Sequence, residues 1–268
     1  MIITIIGCGW LGRPLGAQLT EVGHSVFGST RNESFFEEIS SFGIQPFLLD
    51  SYGSMDVPSE VTDSTELLII ALPPISRNKG VSGIQEDHDF MKKILKQFDN
   101  SVRVIFTSST SVYPKREREY YESYTFSDKD KQTLSYQREL AIETSGKSSV
   151  ILRLGGLIGP KRHPITSLKG RENMPNPEGP INFVHQKDVL GVIRKVVSDS
   201  TISGVFNVVN PMHPSRESYY RSAAKHYGLV APKFLNSSSV HRIISSQKLI
   251  QEHNFKYTAP LFIFPDLD

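Results

Sequence analysis

Gly7, Gly9 and Gly12 fall in the spacing Gly-x-Gly-x-x-Gly, directly after the apolar run "IITII" and at the start of the helical segment "GRPLGAQL". In that setting the three glycines serve different ends, namely a tight turn, room for a pyrophosphate to reach backbone N–H groups, and close packing of helix on strand. The implied ligand is a dinucleotide, with Trp10 and Leu11 inside the loop as further contacts. Pro14 sits near the helix start, where N–H groups lack intrahelical partners anyway.

The second β-rich run, "HSVFGSTR", ends where an acid would hold the ribose 2′-hydroxyl of NAD, about 20 residues beyond the loop. Ser29, Thr30 and Arg31 stand there instead. A guanidinium with two hydroxyls suits a 2′-phosphate through charge-assisted hydrogen bonds, so NADP is preferred to NAD. Arg31 solvated on a loop is the alternative. Asp50, ending the third run, could meet the adenine amino group or cap a turn. Ala71, Leu72 and Pro73, closing the fourth run, complete the candidate cofactor contacts.

Apolar runs must position these residues: "IITII", "SVFGST", "PFLLD", "LLIIAL", "VRVIFTS" and "VILRLGG" alternate with polar helical segments. Runs apolar on both faces predict parallel strands covered by helices, hence an α/β, Rossmann-like doubly wound sheet. Between the fourth and fifth runs, "IQEDHDFMKKILKQF" predicts a helix with Phe90, Ile94, Leu95 and Phe98 on one face. A cofactor-binding domain over 1–160 is expected. Residues 161–268 should return to its sheet at about 181–210 and form a small C-terminal substrate lobe, with a Pro/Gly-rich loop at 174–180. Ser215 is the expected cap of a helix beginning "RESYYRSAAKH".

The 268 residues carry 30 basic and 28 acidic side chains, a net +2 that by itself argues for neither nucleic acid nor an anionic membrane. Cys8 is the only cysteine, so an intrachain disulfide and a cysteine-built metal site are excluded, and a reducing cytoplasm is the expected location. The opening segment lacks a basic n-region, no run approaches the roughly 18 apolar residues of a membrane span, and no His/Asp/Glu grouping has metal-ligand spacing. The sequons at Asn32 and Asn236 then read as chance matches.

The glycine loop, "FTSSTSVYP", "ILRLGGLIGP", "INFVHQKDV" and "HRIISSQKLIQEHNFKYTAP", in that order, resemble the extended short-chain dehydrogenase/reductases, the NAD-dependent epimerase/dehydratase family, over nearly the whole chain. The resemblance implies that Ser109 and Ser111 hydrogen-bond a substrate hydroxyl or carbonyl; capping the strand end is their alternative role. It also implies a helix bearing Tyr-x-x-x-Lys, the tyrosine moving a proton and the lysine lowering its pKa. In "TLSYQRELAIE" the lysine is missing. One register sets Ser135 and Glu139 at the two positions; the other sets Tyr136 and Leu140 there. Tyr136 is thus a candidate acid–base without its partner, in the manner of atypical family members. The family's pairing through this helix implies a homodimer.

Tyr113, Tyr120, Tyr121 and Tyr124 border "KREREYYESYTFSDKDK", expected as a solvated lid. His185 and Asp188 match a position near the substrate crevice; otherwise Asp188 caps a helix starting at Val189. Two functions follow: an NAD(P)-dependent oxidoreductase or epimerase acting on a nucleotide sugar or other small carbonyl compound, or a non-catalytic NADP(H)-binding module that senses redox state.

Overall fold

The computed structural model describes residues 1–50, 56–74 and 80–267. In chain order its strands are β1 (Ile2–Ile6), β2 (Ser25–Thr30), β3 (Gln45–Leu48), β4 (Leu67–Ile70), β5 (Arg103–Ser109), β6 (Arg118–Tyr120), β7 (Ser149–Leu154), β8 (Gly156–Ile158), β9 (Phe183–His185), β10 (Gly204–Val208) and β11 (Arg242–Ile244). The helices are α1 (Gly12–Glu21), α2 (Phe36–Ser40), α3 (Ser59–Ser64), α4 (Gly80–Lys96), α5 (Leu134–Glu143), α6 (Ile165–Leu168), α7 (Gln186–Ser198), α8 (Arg216–His226) and α9 (Gln247–His253).

Seven described strands form one parallel sheet in the order β3-β2-β1-β4-β5-β7-β10, the Rossmann-like arrangement. Its centre is apolar on both faces: every residue of β4 is buried, as are Ile3, Ile5 and Ile6 of β1. Such strands must be covered by helices, and α4 lays Phe90, Met91, Ile94 and Leu95 against this core, with Phe98 joining from just past its end. The sheet grows outward in both directions from β1 and β4. Loops leaving those two strands therefore diverge at their carboxyl ends, the point where such sheets bind ligands.

The chain forms two compact units. The first comprises 1–112, 126–152 and 193–205; the second comprises 113–125, 153–192 and 206–268. The second contains the pairs β6–β11 and β8–β9, both parallel, and its own core around Ile158, Ile165, Tyr219, Ala223 and Leu261. Ser215 caps α8 as expected, its Oγ accepting from the Ser218 N–H at 3.3 Å.

Two expectations are corrected in this unit. The segment expected as a solvated lid contains β6, which pairs with β11, and buries Tyr120 against the Tyr113 and Tyr124 rings, with centroids 5.0 Å away in both cases. Tyr113 is likewise buried, its hydroxyl 2.8 Å from Asn207 Oδ1 and 2.7 Å from the Arg153 guanidinium, and burial pushes its pKa up. The departure is confined to Tyr120 and the strand it ends, since the charged residues from Lys115 to Glu119 are exposed as expected. Helix α7 starts at Gln186, and Asp188 in its first turn accepts from the backbone N–H groups of Thr258 and Ala259, so it anchors the C-terminal segment instead of capping a helix. Among the described residues no helix is long and apolar enough to cross a membrane, and no group of three or more His, Cys, Asp or Glu could hold a metal.

His163 is 3% exposed, with Nε2 2.8 Å from the Tyr219 hydroxyl and Nδ1 accepting from the Ile165 N–H. Burial lowers its pKa from 6.5 to about 4. As pH falls below 6.5 the unfolded chain takes the proton first, so the stabilisation is complete above pH 6.5 and is lost progressively down to pH 4. Urea unfolding between pH 7 and 4 should show wild-type stability falling about 3 kcal/mol further than that of His163→Phe; equal slopes would refute the assignment.

Candidate cofactor and substrate site

The glycine loop is fixed by contacts that the chain makes with itself. Gly7 has φ +103°, a region that L side chains rarely adopt, and a Cβ there would stand 3.0 Å from the Ala71 carbonyl and Leu72 Cδ2. A Cβ on Gly12 would meet Gly7 O at 2.3 Å, so helix α1 closes on the loop only through glycine. The Ala71 N–H donates to Ile6 O at 2.8 Å, tying the end of β4 to that of β1. Gly9 differs: no atom lies within 4 Å of a Cβ built there, its φ is ordinary, and it is exposed. Cys8 between them is buried, and burial, slightly opposed by Arg13, pushes its thiol up to about 12, leaving it protonated at neutral pH.

The end of β2 is arranged differently from expectation. Ser29 is 3% exposed, and its Oγ accepts the Gly7 N–H at 2.9 Å while its carbonyl accepts the Cys8 N–H at 2.9 Å. Its hydroxyl therefore shapes the loop, a correction to its expected place against a phosphate. Thr30 ends β2, half-buried, its Oγ1 donating to Asn32 O at 3.3 Å. Arg31 is exposed just beyond it, and Asp50 is exposed two residues past β3. Trp10 is half-buried and Leu11 buried, while Pro73 is exposed beside half-buried Ala71 and Leu72.

Helix α5 supplies the other wall. Thr133 caps it, accepting from the Tyr136 N–H at 3.3 Å, which sets the rotation of the helix. Ser135 and Glu139, four apart, then face β5 together. Ser135 Oγ lies 2.6 Å from Ser111 Oγ, and Ser108 donates its hydroxyl to Glu139 Oε1 at 2.5 Å, Ser108 and Glu139 both being buried. Ser109 Oγ accepts the Ser111 N–H at 3.1 Å, the turn-capping role weighed for it, and retains its own proton for donation. Tyr136, the expected acid–base, is carried one position round the helix, where its ring packs edge-on to Phe126 with centroids 5.2 Å apart. The residue set against Ser111, just past the end of β5, is Ser135.

A buried ion pair escaped sequence reasoning. Arg138, 4% exposed, donates to Leu72 O at 3.0 Å, lies over the Phe106 ring at 5.1 Å, and pairs with Asp87, Nε to Oδ1, at 3.3 Å. Ser108 holds Glu139. A signal existed: an arginine in the apolar stripe of α5 and an aspartate in that of α4 are costly to bury unless paired.

A doubly wound parallel sheet with a Gly-x-Gly-x-x-Gly turn at its switch point defines the class: a Rossmann-fold protein built like the NAD-binding short-chain dehydrogenases and epimerases. The chain belongs to the family of Protein YeeZ of Escherichia coli (strain K12), with which it is 31% identical over 270 residues, covering 96% of each. No protein-family model matches it. Among solved structures, MoeE5 in complex with UDP-glucose and NAD superposes with a TM-score of 0.77 at 16% identity, covering 98% of this chain and 95% of that one. UDP-glucuronic acid 4-epimerase from Bacillus cereus, solved with NAD and a fluorinated UDP-sugar, gives 0.76 at 17% identity over 98% and 96%. These two likenesses show the fold.

Removing one partner of a buried ion pair strands the other charge, typically at 3–5 kcal/mol. Arg138→Met should therefore destabilise the chain by about 3 kcal/mol or more in urea unfolding, and adding Asp87→Leu should recover part of that loss. A single-mutant loss below about 1 kcal/mol would show that the pair does not hold the site.

Proposed function

We propose that this chain is an NADP-dependent oxidoreductase or epimerase-like protein acting on a nucleotide sugar or another small carbonyl compound. Gly9 carries the reading. The fold itself requires glycine at 7 and 12, whereas nothing in the protein occupies the space beside Gly9, so the missing side chain there is explained by a ligand's backbone approach. The residues present fit such a group: Gly7, Gly9 and Gly12 with Trp10 and Leu11 would hold the pyrophosphate, Arg31 and Thr30 the 2′-phosphate, Asp50 the adenine side, and Ala71, Leu72 and Pro73 the far wall. A bound nicotinamide would supply or accept a hydride.

The chain's own residues then orient the substrate. Ser109, Ser111 and Ser135 offer hydroxyls that can hold a reacting oxygen, while Glu139, engaged by Ser108, keeps a carboxylate where an ammonium would favour a phenolate. The nucleotide-sugar class is supported by what MoeE5 and the Bacillus cereus epimerase were solved with, and the second unit is assigned to substrate recognition. The homodimer is carried as part of this reading.

The hydroxyl-only set around Ser135 also favours a second reading, a non-catalytic NADP(H)-binding module. Loading the protein with NADPH deuterated at the transferable position and exposing it to cell extract separates the two. Label in a small molecule establishes a reductase, whereas retained label together with different affinities for NADPH and NADP+ supports the module. For the site itself, Gly9→Val should leave the melting temperature near wild type and weaken NADPH binding at least about tenfold, a loss of about 1.4 kcal/mol. Unchanged binding would overturn the loop assignment.

A further inference from the structure

Ser29, turned inward onto Gly7, leaves the expected 2′-phosphate ligands one short. A second cation reaches the segment that follows β2. Arg13, the first residue after the glycine motif, lies in the first turn of α1 with its N–H donating to Gly9 O at 3.0 Å, and its guanidinium extends to the segment that follows Arg31. There it pairs with Glu38 of α2 and lies 5.8 Å over the ring of Phe35. Asn32 fixes that segment by accepting the Ser34 N–H at 2.9 Å, so Arg13 and Arg31 flank one short stretch of chain.

We propose that Arg13 is a specificity-determining residue for NADP, exchanging Glu38 for the cofactor's 2′-phosphate, so that Glu38 acts as a built-in competitor that the phosphate displaces. The inference rests on the cofactor reading above. The charges favour the exchange. The Glu38 side chain is 51% exposed, and an ion pair so placed contributes little and is readily given up. The Arg13 side chain is only 25% exposed, its stem held at the helix start, so the guanidinium is already oriented before any ligand arrives. A phosphate monoester carries up to about two charges and three acceptor oxygens, which a planar guanidinium can engage in bidentate fashion. NADH has only a hydroxyl at that position, which gives it no means of drawing Arg13 from a carboxylate.

The test is titration of NADPH and NADH, followed by nicotinamide fluorescence, against wild type, Arg13→Ala and Glu38→Gln. Arg13→Ala should weaken NADPH about tenfold or more, as expected for loss of a charge-assisted contact, and change NADH less than about twofold. Glu38→Gln, at an exposed position, should tighten NADPH several-fold without changing NADH. An Arg13→Ala loss shared equally by both cofactors, or no loss for either, would overturn the proposal while leaving the cofactor site standing, as would weaker NADPH binding in Glu38→Gln. A wild-type chain that binds neither cofactor would overturn the site and this proposal together.

Discussion

The structure depends on how closely β1, its loop and α1 approach one another. With Gly12 against Gly7 O, and Gly7 at a positive φ against Ala71, the backbone makes contacts that any side chain would prevent. That closeness lets the Gly7 and Cys8 N–H groups reach Ser29 and lets the Ala71 N–H reach Ile6. The carboxyl ends of β1, β2 and β4 are thereby bound into one rigid rim, before any cofactor is considered. The positions of the candidate side chains follow from that rim, because α1 projects Arg13 onto Phe35 and Glu38 in the segment that follows β2.

A second tie runs from the rim to α5. Arg138 is held against β5 by Asp87 and Phe106 and grips Leu72 O, so a helix that carries candidate substrate residues is bonded to a loop that carries candidate cofactor residues. Its place within the core makes the link stiff, since a guanidinium lifted from that setting would strand the carboxylate of Asp87. The next residue, Glu139, ties the same helix to β5 through Ser108. Orientation of α5 is thus set by polar groups at positions usually given to apolar ones.

Much of the sheet could be read from the chain because parallel buried strands are written as continuous apolar runs, and all six runs read from the first two-thirds of the sequence are strands of the main sheet. The glycine loop was legible for a similar reason: its spacing reflects backbone geometry, which is local. Where the sequence misled, a long-range contact decided the outcome. Tyr120 lies in a run dominated by charge, and only pairing with β11, more than a hundred residues away, makes a short strand there whose last residue, Tyr120, is buried. Ser29 looked like a ligand because its neighbours are ligand-like, and which way a β2 side chain points depends on the partner across the sheet. Asp188 has a cap's position in the sequence, but Thr258 and Ala259 recruit it.

The register of α5 is the hardest case and the most consequential. Two alignments differing by one residue could not be separated by composition, because both lose the lysine; the Thr133 cap separates them by fixing where the helix begins. Once Ser135 meets Ser111, the spacing of four that would join a phenol to an ammonium joins a hydroxyl to a carboxylate instead. A serine hydroxyl has no accessible ionisation near neutral pH, and a carboxylate raises the pKa of an acid beside it, so this face can hold an oxygen firmly without readily taking its proton. The Ser135–Glu139 face therefore offers hydroxyls that can hold an oxygen, and under the proposed function proton transfer would fall to a group outside it.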